Sequence, residues 1–174
     1  MHVPNLVGDW QEYDEAFAGV RIRVYDLKRV DPPKYRHDDA KGLTYFGFSV
    51  TVENRAEEYF TIDLDRWGLD VRIGKNGESA LVDESNSKLI RGFNVYPMHR
   101  ATASILGAGL ASKLKTMDIQ VGLHIDGVQA RRYVWAGGMG VHEQSTGRGL
   151  RPSTARTSIA SEVTRFLEGE SESR

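Results

Sequence analysis

Hydrophobic and polar residues alternate along most of this chain with a period of two. Val20, Ile22 and Val24 share one phase while Arg21, Arg23 and Tyr25 share the other, the signature of a strand with one face in a core. Between Leu43 and Asn54, Phe46, Phe48, Val50 and Val52 oppose Tyr45, Ser49, Thr51 and Glu53, with aromatic and β-branched residues dominating. Phe60, Ile62 and Leu64 then alternate with Thr61, Asp63 and Asp65, and Leu69, Val71 and Ile73 with Asp70 and Arg72. The Asn-Gly pair in Gly74-Lys75-Asn76-Gly77 predicts a tight turn that folds Leu69–Ile73 onto Ser79–Val82. Leu89–Tyr96 and Ala101–Leu106 are shorter strand candidates. Pro97 separates them and, having no N–H for a ladder, predicts a strand end where the sheet turns a corner. Met117, Ile119, Val121, Leu123 and Ile125 form the longest alternation, and Asp126-Gly127 predicts a hairpin to Val128–Ala136.

The period changes only near the end. Ile159, Val163, Phe166 and Leu167 fall at helical spacing, with Pro152, Ser153 and Thr154 able to open a helix. Gly137-Gly138-Met139-Gly140 and the Gly-, Ser-, Thr- and Arg-rich run to Arg151 predict a flexible connector before it. The expected division is an N-terminal arm over 1–18, a β domain over 19–137, a connector over 138–152, and a helix with a polar tail over 153–174.

Composition narrows the function classes. In 174 residues, 23 Lys and Arg against 24 Asp and Glu leave a formal charge of -1, so no global field draws the chain to nucleic acid or anionic lipid. The absence of cysteine excludes disulfides, thiolate zinc sites and a cysteine nucleophile. No apolar run approaches the roughly 20 residues of a membrane span, and the first residues lack a secretory pattern, so the expected compartment is the cytoplasm, with a virion or other assembly as a further setting.

The stretch Tyr45-Phe46-Gly47-Phe48-Ser49-Val50-Thr51-Val52-Glu53-Asn54, followed by a polar turn and Tyr59-Phe60-Thr61-Ile62, resembles the second and third strands of bacterial telokin-like, immunoglobulin-like accessory domains. The resemblance covers about Val20 to Ala136 and rests on a Val-x-Val-x-Asn phrase closing an aromatic-rich strand. It implies a sandwich used for binding or assembly and transfers no catalytic residue. The expected fold is therefore an all-β, immunoglobulin-like antiparallel sandwich of about seven or eight strands, with an N-terminal arm and one C-terminal amphipathic helix.

Candidate chemistry is sparse. His2, His37, His99, His124 and His142 show no spacing that presets a metal site, and His124 reads as a solvated imidazole. Asp63 and Asp65, with Asp70 or Asp38-Asp39, are the nearest approach to a calcium site, but their spacing fails the EF-hand loop pattern and a wet acidic sheet face or loop is the better account. Nucleophile-elbow, phosphate-loop and zinc-helix motifs are absent, and Gly107 and Gly109 read as a loop between strands. Arg131-Arg132 beside Tyr133 and Trp135 has no matching basic stripe, so Tyr133 and Trp135 are expected to fill a sheet face near Trp10, Trp67 or Phe17. No cofactor, metal or catalytic residue is assigned. The expected role is a non-enzymatic structural or interaction module that self-associates or binds a protein through edge strands and its ends. Its candidate contacts are Trp10, Tyr13, Phe17, Arg148, Arg151, Ile159, Val163, Phe166 and Leu167. The alternative is a sandwich that binds a small molecule or carbohydrate in a cleft lined by Trp67, Tyr96 and Trp135.

Overall fold

The computed structural model describes residues 3–139. Their strands, in chain order, are β1 (Asn5–Leu6), β2 (Trp10–Glu12), β3 (Val20–Arg29), β4 (Thr44–Asn54), β5 (Phe60–Leu64), β6 (Asp70–Ile73) and β7 (Glu78–Ser79). Then come β8 (Leu81–Val82), β9 (Phe93–Val95), β10 (Arg100–Gly109), β11 (Met117–Val121), β12 (Leu123–Ile125), β13 (Val128–Gln129) and β14 (Tyr133–Gly137).

One sheet has the order β2-β3-β4-β10-β8, a second β1-β14-β11-β6-β7 and a third β13-β12-β5-β9. The second and third are two halves of one bent layer. β11 runs into β12 through Gly122, β5 reaches β6 through 65–69, β13 reaches β14 through 130–132, and neighbours keep their order across the bend. Val20, Ile22, Val24, Phe48, Val50 and Val52 of the first sheet close over Ile62, Val71, Met117, Ile119, Leu123, Ile125 and Trp135 of the bent layer. The chain is a β-sandwich, and the inward phases are those the alternation predicts.

One expected hairpin forms as read and the other only in part. Asp126 (φ 52) and Gly127 (φ 78) occupy consecutive left-handed positions between β12 and β13, as a two-residue hairpin of this twist requires. At the other, Gly74 and Gly77 take positive φ and only Glu78–Ser79 pair with β6, because Leu81–Val82 leave to pair with β10 in the opposite layer. Pro97 lies in the turn between β9 and β10, where the chain changes layers.

The count of fourteen short strands among the described residues exceeds the expected seven or eight because long alternations are cut wherever the chain crosses or bends. Two further expectations are corrected. Of the arm expected over 1–18, the described residues 3–18 are tied into the sandwich: β1 pairs in parallel with β14 and β2 pairs antiparallel with β3, so this short stretch contributes to both layers. Gly8, at φ 108, lies between them, and the Trp135 Nε1–H donates to the Asp9 carbonyl at 3.0 Å. Gly107 and Gly109 are not in a loop but within β10, where a Cβ would stand 2.5 Å from the Phe46 ring and 2.6 Å from Ile73 Cδ1. They are glycine because the core comes too close. Of the connector expected over 138–152, Gly138 and Met139 are described, and Met139 is buried in the core with its amide on the Leu114 carbonyl; the rest of it and the helix expected over 153–174 lie outside the described residues.

Asn54, last residue of the Val-x-Val-x-Asn phrase, is fully buried. Its amide donates to the carbonyls of Glu58 and Val95 and its Oδ1 accepts from the Ala56 N–H, which ties the polar turn to β9.

The bend is pinned by Asp65, the reverse of the wet carboxylate the sequence suggests. Asp65 is 2% exposed and accepts from Arg132 Nη2 (3.2 Å), Gln129 Nε2 (3.1 Å) and the Trp67 amide (3.1 Å). Its amide donates to the Gly122 carbonyl at the β11–β12 junction. Gly68 and Gly122 admit the pair, since a Cβ at either would stand 2.8 Å from Asp65 or Arg132 atoms. Burial pushes the Asp65 pKa up, but the Arg132 hydrogen bond, the Trp67 amide and the charges of Arg132 and His124 outweigh it and hold it below its ordinary value. A depressed pKa contributes stability above the unfolded value near 3.9, and that contribution fades as pH falls through the folded value. Asp65→Ala should cost about 2–4 kcal/mol at pH 7, because it strands the donors of Trp67, Gln129 and Arg132. In urea melts from pH 7 to pH 2, the gap between wild type and Asp65→Ala should be constant near neutrality and narrow below about pH 4.

Candidate functional site

The most organised polar surface is the outer face of the β2-β3-β4-β10-β8 sheet. The register aligns its side chains in rows. Glu12, Arg21, Glu53 and Arg100 lie in one, Trp10, Arg23, Thr51 and Thr102 in the next, then Tyr25, Ser49 and Ser104, and finally Lys28, Gly47 and Leu106. Each residue belongs to the outward phase whose inward counterparts are Ile22, Val24, Val50 and Val52, so burying the core fixes these rows on the far side.

Glu53 is the centre of the first row. Only 7% exposed, it accepts from Arg21 Nη2 at 3.1 Å and Arg100 Nη2 at 3.0 Å, and Arg55 Nε stands 4.0 Å away. The Arg21 guanidinium lies 4.0 Å over the Trp10 ring, and Arg23 lies 5.7 Å from the same ring and 4.8 Å from Tyr25. Arg23 Nε is held by the Gly8 carbonyl at 2.8 Å. The hydroxyls of Tyr25, Thr51 and Thr102 link across three strands at 3.0 and 2.9 Å. Four guanidiniums (Arg21, Arg23, Arg55, Arg100) face two carboxylates (Glu12, Glu53), so the patch is positive on a chain of charge -1. Arg55 and Arg100 keep half or more of their side chains in water.

Three of the expected contact residues, Trp10, Tyr13 and Phe17, lie among the described residues. Trp10 belongs to this face. Tyr13 is buried edge-on against Tyr133 at 5.4 Å, where burial pushes its phenol pKa well above the ordinary value, with the neighbouring Tyr133 adding to the rise. Phe17 is half-buried against the same core. Tyr13 and Phe17 therefore pack on their own domain, while Trp10 stays on the outer face. Arg148, Arg151, Ile159, Val163, Phe166 and Leu167 lie outside the described residues. The aromatic cleft is not assembled either. Trp135 is fully buried, Trp67 is 81% exposed, and Tyr96 packs at a tilt against Tyr59, ring centroids 5.4 Å apart. Tyr133 and Trp135 do fill a sheet face, with Tyr13 rather than the exposed Trp67 against Tyr133.

Several other titratable groups are held within the fold. Asp83, fully buried, caps a single turn by accepting from the Asn86 N–H at 3.2 Å, with His37 at 3.8 Å. Beside it, Tyr45 anchors a second small core with Ala40 and Ala108, and burial, then the Asp83 charge, raises its pKa. Asp63 accepts from the Gly92 amide, and His124 is half-buried next to Asp65. Among the described residues, no three His, Cys, Asp or Glu side chains are grouped to hold a metal ion, and no helix is long and apolar enough to cross a membrane.

No family model and no curated protein matches the chain. Solved structures do. A candidate lipoprotein of Bacillus subtilis, ycdA, superposes with a TM-score of 0.56 at 14% identity over 80% of this chain and 42% of that one, so the chain spans under half of that protein. The yjhA protein of the same organism superposes at 0.51 with 14% identity, over 75% of this chain and 97% of the other. A secreted protein of Mycobacterium tuberculosis, MPT63, reaches 0.48 at 12% identity, over 76% and 95%. At these identities the first two likenesses show a shared fold.

If Glu53 holds the arginines in place, Glu53→Gln should lower stability by about 1–2 kcal/mol, modest because Arg55 and Arg100 are largely solvated. Chemical denaturation of wild type and variant measures this, and the loss should shrink in 1 M salt.

Proposed function

We propose that this chain is a non-enzymatic interaction module that binds a protein partner on the outer face of its β2-β3-β4-β10-β8 sheet. The observation that carries the reading is the fixed, water-facing array of Trp10, Tyr25 and four arginines around Glu53. Arg, Trp and Tyr are the residues that dominate interface energetics, and here their orientations are set before any partner arrives. The positive balance of the array selects an acidic protein surface over a basic one.

An immunoglobulin-like strand arrangement goes with this proposal. It is supported by the division of the N-terminal strand between the two layers and by its parallel pairing with β14. A sandwich of that kind offers one sheet face to partners while the other faces inward.

Photo-cross-linking tests the reading. A cross-linking amino acid at position 102, on this face, should capture a partner protein in an extract of the source cells, whereas one at position 118, on the outside of the opposite layer, should not. Capture should disappear in an Arg55→Glu, Arg100→Glu double variant and weaken with salt. Capture from both positions alike, or from neither, overturns it.

A further inference from the structure

The same face carries a second feature that names its partner more closely. Six residues along β4 from Glu53, the outward position is Gly47, and the surface sinks there into a depression of about 250 Å³. Two local features make it. Gly47 leaves its row without a side chain, and a Cβ there would stand 3.3 Å from Val30 Cγ1. The register also slips between Tyr25 and Lys28, where Asp26 adopts φ 58 and Leu27 packs against the core. The lining combines apolar Val30 and Leu106 with Ser49 and Ser104 and with Asp26 and Lys28, which pair with each other at 3.2 Å. The volume is too small for a typical drug-sized ligand and suits one aliphatic side chain.

At about 3.3 Å per residue, Gly47 and Glu53 lie roughly 20 Å apart on the same face of the strand. We infer that the partner contributes an extended acidic segment whose carboxylates meet Arg55 and Arg100 and whose aliphatic side chain, six residues away, fills the depression at Gly47. This rests on the interaction reading above. Six is an even number, so in an extended peptide both side chains face the sheet, and both chains advance at the same rise. A helix laid over the same span would set its intervening apolar turns on the hydroxyl row of Tyr25, Thr51 and Thr102, which offers them only polar contacts.

The full chain can be titrated against three fluorescein-labelled, end-capped peptides and read by anisotropy. The first carries two glutamates two positions apart and a leucine six positions beyond the second, with Ser and Thr at the positions between, so that all three face the sheet. The second moves the leucine to three positions, and the third replaces both glutamates by glutamine. The first should bind about tenfold more tightly than either other peptide. Gly47→Leu should erase the preference for leucine spacing and leave the preference for glutamate, while Arg100→Glu should do the reverse. Should Gly47→Leu fail to fold, Ser104→Leu closes the same depression from its rim. Equal binding of all three peptides, binding of none, or a leucine preference that survives a filled depression overturns the inference. Position-102 cross-linking without spacing dependence would remove this inference alone, whereas failure of both experiments removes the interaction reading with it.

Discussion

The Asp65–Arg132 pair is the constraint on which the architecture turns. Three separate strand connections pass between the two halves of the bent layer, and Asp65 touches all three, through Trp67, through the Gly122 carbonyl and through Gln129 and Arg132. A continuous twisted layer of this length would splay from the opposite sheet. Bending it at one carboxylate lets Ile62, Leu123 and Ile125 on one side, and Val71, Ile119 and Trp135 on the other, reach the same core. Such a pair is weak as a source of net stability, since both ions lose water, yet it is costly to break from one side only. Its contribution is geometric.

The outer face of the β2-β3-β4-β10-β8 sheet applies the same physics to a different end. Thr51 and Glu53 are nearly buried on a face that contains no apolar core, covered by the stems of arginines and the ring of Trp10. Long cationic side chains screen the polar row beneath while their charged ends stay in water. The hydroxyls and the carboxylate find partners inside the row, so burial there leaves them satisfied.

Much of the sandwich was legible in the sequence because core burial writes itself as alternation. Phe46 to Val52, Met117 to Ile125 and the Asp126-Gly127 turn needed no partner to be read. Expectations failed where the deciding contact lies far away in the chain. Gly107 reads as loop until Phe46 is seen against it, Asp65 reads as solvated until Arg132 covers it, and the β1–β2 segment reads as an arm until β3 and β14 flank it. The functional face was half legible. Periodicity assigns Arg21, Arg23 and Tyr25 to one outward phase and Glu53 to another, but only the register places Arg100 and Arg21 on either side of Glu53. Trp10 stood out as a candidate contact, and its stacking on arginines of a different strand could not be foreseen.

The first and last described strands meet through the Asn5–Trp135 register and the Trp135 indole on the Asp9 carbonyl. During synthesis the chain therefore cannot close its sandwich until β14 has left the ribosome, long after β3 and β4 have emerged with a hydrophobic face unfilled. A nascent chain of this design presents that face to chaperones, or to sibling chains on the same message, until β14 joins it.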